Sequence, residues 1–253
     1  MQATRLRHLV GHWFIRCIHA VLCARAFPLT RYVPRGWSYL YDIQRHAGAR
    51  DIGPVLDVGA NTGQTAWGLV RYFPSSAIYC FEPVRQTYEI LLRDYGTRAT
   101  CVNMALGSAP GEKAIQLLSD PELNTFSDVR GGAVPVGVEV VTVSTVDRFC
   151  AEHGITQIGL LKLDVQGWEM EVLNGAARML GAGAVRSIYA EVGFRRRDTD
   201  MQAFAPLNDH LDRLGYEFCG LYDAYRWGET KSFVGFANAL YVLPPNVMQT
   251  HRD

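Results

Sequence analysis

Residues 55–66 read VLDVGANTGQTA, an apolar run that passes into Gly59, Asn61 and Gly63 and then into a helical pattern. Glycines at a strand-to-helix turn let the backbone approach a ligand closely, and the start of the helix favours negative groups. A dinucleotide fingerprint would read G-x-G-x-x-G; this loop reads G-A-N-T-G and carries no Walker lysine, which argues against both NAD and ATP. Glu82 follows Gly59 by 23 residues and closes a second apolar run, IYCFEP. An acidic side chain placed there can accept the hydroxyl hydrogens of a ribose. Ribose recognition without a pyrophosphate cradle points to a nucleoside cofactor. The plainer reading is that Glu82 caps the next helix and the glycines only turn the chain.

These residues need elements to position them. Short apolar runs recur at 54–59, 77–81, 99–102, 158–163 and 187–192. Helical patterns fall at TAWGLVRYF, VRQTYEILLRDYG, 146–153, 168–180 and 203–214. Strands alternating with helices at this spacing predict a doubly wound α/β domain, with helices on both faces of a mostly parallel sheet. Two stretches depart from the alternation. KAIQLL and VEVVTVS flank a polar, glycine-rich segment long enough to be a lid or binding loop. YEFCGLY and FVGFANALYVL predict a terminal antiparallel pair.

At 253 residues, 48% hydrophobic and 20% charged, the chain is globular rather than disordered, collagenous or coiled-coil. Its formal net charge is zero, but six arginines and no acidic residue lie before position 36, so the remainder carries −6. An acidic body without a basic aromatic groove argues against a nucleic-acid partner. Cys17, Cys23, Cys80, Cys101, Cys150 and Cys219 are scattered with no C-x-x-C pair, which predicts free thiols in a reducing compartment.

Residues 1–40 are read as a leader and 41–253 as the domain. Within the leader, Leu6, Leu9, Trp13, Cys17, Ile18, Val21 and Leu22 share one helical face, and Arg5, His8, His12, Arg16 and His19 the other. This N-terminal amphipathic helix has charges too closely spaced for a signal peptide or a spanning helix, which predicts a cytoplasmic protein. One reading of residues 5–25 is peripheral docking on an anionic membrane or a lipid-linked substrate. The other is packing on the chain's own domain or on a second copy in a homo-oligomer, the common use of amphipathic helices. His8 and His12 have the spacing of two metal ligands but no third nearby.

VLDVGANTGQ resembles the first motif of class I S-adenosylmethionine-dependent methyltransferases, and FEP resembles their second-strand acidic motif. VNMALG (102–107), VSTVDRF (143–149), LLKLDVQGWEMEVLNGA (160–176) and FANALYV (236–242) are similar, in that order, to the FkbM family. The resemblance covers about 190 residues and excludes the leader. Many family members carry Glu where this chain has Gln166, so no charge-based role carries over to that position. The resemblance implies S-adenosylmethionine as cofactor. It places Asp57, Gly59, Asn61, Gly63 and Gln64 around the methionine end, Glu82 and Pro83 at the ribose, and Asn103, Met104 and Ala105 at the adenine edge. Leu163 and Asp164 end the fourth strand on the same rim, where ligands of open α/β sheets bind.

Methyl transfer requires alignment more than chemistry, but an alcohol acceptor must also lose a proton. Asp164 and Glu191 both emerge at the carboxyl edge of the sheet and are the candidate bases; Asp164 could instead hold the cofactor's amino group, and Glu191 could orient the acceptor. No third ligand completes a metal set, so no obligatory metal is predicted. Asn124, Thr125 and Ser127 in the polar segment suit hydroxyl-rich acceptors. Lys162 reads as a structural ion-pair member, Trp168 as packing where its helix opens, and FRRRD as a solvated loop. The predicted activity is O-methylation of a sugar, glycolipid or secondary metabolite. Its rivals are N-methylation on the same fold, a nicotinamide oxidoreductase and a non-catalytic cofactor-binding protein.

Overall fold

Val55–Val58, bounded by Pro54 and Gly59, forms strand β1 with all four side chains buried. A strand buried on both faces belongs in the middle of a parallel sheet covered from both sides. In the computed structural model, which describes residues 34–49, 51–126, 134–195 and 201–245, it pairs in parallel with β2 (Ile78–Phe81) and β7 (Leu160–Leu163). With β3 (Thr100–Val102), β8 (Ser187–Gly193), β9 (Glu217–Trp227) and β10 (Phe233–Val242), the order across the sheet is β3-β2-β1-β7-β8-β10-β9. Only β10 runs against its neighbours, so the terminal antiparallel pair is present as expected. Strand order reverses between β1 and β7. A crevice opens at the carboxyl ends there, where ligands of such sheets bind.

Alternation along the strands separates two faces. Leu56, Val58, Leu161, Leu163, Ile188, Ala190 and Val192 join the main apolar core with Phe149, Val172, Leu173, Leu207 and Leu211. The last five come from helices α4 (Val146–Glu152), α5 (Glu169–Asn174) and α7 (Phe204–Arg213). Asp57 and Lys162, register partners on adjacent strands, point to the opposite face. Helices α1 (Tyr39–Ala47), α2 (Ala66–Tyr72) and α3 (Arg85–Tyr95) complete the set with α6 (Ala177–Gly181).

The pattern read as helical over 168–180 forms two helices, α5 and α6, broken at Gly175. A Cβ at Gly175 would meet the Gly107 carbonyl oxygen at 2.0 Å, so this glycine is needed for a close backbone approach. The Asp147 carboxylate then accepts from the backbone N–H of Arg178 (2.7 Å) and Met179 (3.0 Å), capping α6 from α4.

The two strands flanking the polar segment, β5 (Gly111–Leu118) and β6 (Pro135–Ser144), form an antiparallel pair that joins the two-residue β4 (Ala105–Leu106) in a second sheet. It rests on a small core of Val84, Ala105, Ile115, Val141 and Val143. The amphipathic reading of residues 5–25 lies outside the described residues, as do Cys17, Cys23, Ser127 and most of FRRRD. Among the described residues no helix is long and apolar enough to cross a membrane. Cys80, Cys101, Cys150 and Cys219 are free thiols, Cys80 and Cys150 buried.

Candidate active site

β1 ends at Val58 because the chain turns left-handed at Gly59 (φ 75°). The N–H groups of Gly59 and Ala60 both donate to the Phe81 carbonyl at the end of β2, at 3.1 and 2.9 Å. On the other side a Cβ at Gly59 would lie 1.9 Å from the Asp164 carbonyl oxygen, so only glycine lets this loop pass the end of β7. Asn61, also left-handed (φ 48°), donates its backbone N–H to Glu82 Oε2 at 2.9 Å.

Glu82 is a hub. Its Oε1 accepts from the Val84 N–H (3.0 Å) and from Thr87 Oγ1 (2.7 Å), while Oε2 accepts from Asn61. Burial raises its carboxyl above the usual range, against those hydrogen bonds. It therefore does organise the start of α3, as the plainer sequence reading holds. A carboxylate has about four acceptor positions, of which three are filled, leaving one for a ligand hydroxyl. Asn103 sits behind it, donating Nδ2 to the carbonyls of Glu82 (3.0 Å) and Pro83 (2.8 Å).

Lys162 is buried with its Nζ 2.9 Å from Asp57 Oδ1, 3.0 Å from the Gly59 carbonyl and 3.6 Å from Asp164 Oδ2. Burial disfavours its charge, but Asp57 and Asp164 outweigh this and hold the ammonium protonated, above its ordinary range. The ion pair read for Lys162 exists, and its closest carboxylate is Asp57 on the neighbouring strand. Lys162 thus ties the glycine loop to β7, with Asp57 holding its ammonium.

Beyond β7, Gln166 (φ 51°) and Gly167 (φ 87°) turn the chain back toward the strand ends. Gln166 Nε2 donates to Asp164 Oδ1 (3.1 Å) and to Glu191 Oε2 (3.2 Å) from β8. Burial, then the charges of Asp164 and Glu169, push Glu191 up to about 8. Burial likewise lifts Glu169, on α5, to about 7; its Oε1 accepts from the Val165 N–H.

A cavity of about 470 Å³ opens above these strand ends, within the range of small-molecule sites. Gly59, Asn61, Gln64, Glu82, Pro83, Met104, Ala105, Asn124, Asp164 and Glu191 line it. Asp57, Gly63, Asn103, Leu163 and Thr125 are not on its wall; Asp57, Asn103 and Thr125 hold wall residues Lys162, Glu82 with Pro83, and Gln166, while Leu163 belongs to the apolar core. Gly63 instead packs against α3: a Cβ there would meet the Tyr95 ring at 2.3 Å. The polar segment crosses the mouth as a strap over residues 121–126. Asn61 Nδ2 donates to the Pro121 carbonyl (3.2 Å), Gln64 Nε2 to Glu122 Oε1 (2.8 Å), and Thr125 Oγ1 to the Gln166 carbonyl (3.0 Å). Sequence reasoning missed the wall residues Leu106, Leu123, Phe126, Met201 and Phe236. Leu123 and Phe126 were the available signal, large apolar side chains inside an otherwise polar segment. Trp168, read as packing, stacks obliquely on Phe126 (centroids 5.2 Å apart) and also lines the cavity. Among the described residues no three His, Cys, Asp or Glu side chains gather as a metal site.

The family described as Methyltransferase FkbM domain matches residues 57–218, from the buried Asp57 through both carboxylates at the strand ends. The chain belongs to the FkbM methyltransferase family. Methyltransferase sdnD of Sordaria araneosa is 29% identical over 153 residues, covering 48% of this chain and 59% of sdnD. The 2-O-methyltransferase NoeI of Sinorhizobium fredii is 26% identical over 159 residues, covering 54% of this chain and 62% of NoeI. The matched region thus spans less than two thirds of either relative. The crystal structure of methyltransferase FkbM from Methylobacillus flagellatus superposes with a TM-score of 0.48 and 19% identity, covering 75% of this chain and 43% of that one. Within the FkbM domain, the glycine loop, Glu82, the strap and the Asp164–Gln166–Glu191 group are all included, while Phe236 lies beyond the matched range.

Proposed function

We propose that this FkbM-family domain transfers a methyl group from S-adenosylmethionine to a hydroxyl of a sugar, glycolipid or secondary metabolite. The residues fit that cofactor. Glu82 has one acceptor position left for a ribose hydroxyl, and Met104, Ala105, Leu106 and Phe126 offer an apolar berth for a purine. Asp164 supplies negative charge for the cationic methionine end. When bound, the cofactor supplies an electrophilic methyl on a sulfonium sulfur.

The observation that carries the reading is Glu191, a partly buried carboxylate on the cavity wall pushed up to about 8. A hydroxyl must lose its proton as it is methylated, and a base is most effective when its pKa lies near the working pH. Glu191 is that base in this proposal. Asp164, closer to Lys162, stays with the cofactor side and keeps Glu191 basic through its charge. Lys162 and Asp57 hold the glycine loop against β7. The strap excludes water and orients the acceptor through Asn124 and the Phe126–Trp168 wall. The similarity to NoeI, a 2-O-methyltransferase, supports hydroxyl over nitrogen as the acceptor.

The test incubates the protein with S-adenosylmethionine and paired acceptors, a glycolipid with free sugar hydroxyls and its amino-sugar analogue, and reads methyl gain by mass spectrometry. The expected outcome is transfer to the hydroxyl substrate, rising as pH passes from 6 toward about 8 as Glu191 ionises, and lost in Glu191→Gln. Transfer confined to the amine, or retained in Glu191→Gln, overturns the assignment.

A further inference from the structure

Glu191 has one hydrogen-bond partner for its carboxylate among the described residues, the Gln166 amide at 3.2 Å. The same nitrogen donates to Asp164 Oδ1 at 3.1 Å. A primary amide carries two N–H groups that diverge, so a single Nε2 can serve two carboxylates. The backbone is arranged for this contact. Gln166 sits left-handed at φ 51°, which costs a residue with a Cβ about 1 kcal/mol. Such a conformation persists only where surrounding contacts impose it. Here the contact is Thr125, buried in the strap, whose Oγ1 donates to the Gln166 carbonyl at 3.0 Å.

We propose that Gln166 is a positioning residue, an uncharged clamp anchored by Thr125, that takes the place of a counter-ion between Asp164 and Glu191 and sets how readily Glu191 gives up and takes a proton. The proposal deepens the reading of Glu191 as the base and rests on it. The charged groups facing Glu191 are Asp164 and Lys162 from β7 and its end, and Glu169 from α5. Asn238, its register partner on β10, is uncharged. Asp164 and Glu169 favour the protonated form, and Lys162 and the Gln166 amide favour the ionised form. Removing the amide donors therefore moves the titration of Glu191 upward. A hydrogen bond to a charged group corresponds to about a tenfold change in the acid constant, or about one pH unit.

The experiment follows the side-chain carboxyl carbon resonances of the full chain, labelled with carbon-13 glutamate, as a function of pH. Glu191→Gln identifies the resonance by its loss. Gln166→Leu is expected to lower the acid constant of Glu191 about tenfold, and Gln166→Glu by at least as much because it adds like charge. Thr125→Val is expected to give a smaller change in the same direction. Melting temperature and titration with S-adenosylhomocysteine run on every variant. If Gln166→Leu does not fold, Gln166→Glu, of equal length, carries the test. A Glu191 titration unchanged within about twofold in the folded variants overturns the clamp, since a merely structural side chain would leave it there. Failure of the wild-type chain to bind S-adenosylhomocysteine while the acid constant still moves removes the methyltransferase reading and leaves the clamp supported.

Discussion

Replacing Glu191 by Gln should stabilise this protein while abolishing its transfer activity. The folded state holds Glu191 at about 8, against an ordinary 4.5 in the unfolded chain. A carboxyl raised in the folded state binds more protons there than in the unfolded chain between those values, so stability falls as pH rises through that window. At pH 8 the full cost is about 4 kcal/mol, and because Glu191 is only partly buried, solvent screening leaves about 2 kcal/mol. Gln keeps the shape and still accepts from Gln166, but has no charge to desolvate. Urea unfolding of both proteins at pH 5 and pH 8 measures the difference. The expected gap is about 2 kcal/mol in favour of Glu191→Gln at pH 8, about 4–8 °C in melting midpoint, and under about 0.5 kcal/mol at pH 5. A gap that is the same at both pH values, or a variant less stable at pH 8, refutes the electrostatic reasoning. The expected trade of stability for function is the usual mark of a group kept for its chemistry.

Gly59→Ala would place a methyl 1.9 Å from the Asp164 carbonyl at a left-handed position. It should cost roughly 3 kcal/mol or more in unfolding free energy and abolish S-adenosylhomocysteine binding by calorimetry, whereas Gly154→Ala, also left-handed but with open space around it, should cost only about 1 kcal/mol. Lys162→Met leaves Asp57 buried without its cation and should destabilise by about 3–5 kcal/mol near neutral pH, with part of the loss recovered in Asp57→Asn/Lys162→Met. Gln64→Ala releases an exposed hydrogen bond from the strap to the glycine loop. It should raise the S-adenosylhomocysteine dissociation rate a few-fold in stopped flow while leaving unfolding within about 0.5 kcal/mol of wild type.

The main sheet was legible because its strands are short apolar runs bounded by Gly and Pro, and its helices repeat at helical period. Residues 168–180 deceived the same logic, since the period continues through Gly175 and the break comes from a through-space approach to Gly107. The two-residue β4 is too short to give any periodic signal. In the site, the glycine loop and Glu82 could be read because each acts within a strand-to-helix segment. The partner of Lys162 could not, because it depends on the register of β1 against β7. Asp57, Gly63, Asn103 and Leu163 show the same limit: position near a motif does not say whether a side chain lines the cavity or lies behind it. Gln166 stood out in the sequence only as a departure from a more common Glu. What it bridges became visible once β8 brought Glu191 beside β7.

The nucleoside of S-adenosylmethionine is expected to lie beyond the carboxyl ends of β1, β2 and β3, with Glu82 on the ribose. Isothermal titration of the protein with S-adenosylhomocysteine, with NAD as control and Glu82→Ala alongside, tests it most directly. The expected result is saturable binding of the thioether, roughly 10–100-fold weaker in Glu82→Ala, and none of NAD. Saturable binding of NAD, or of neither ligand, would contradict it.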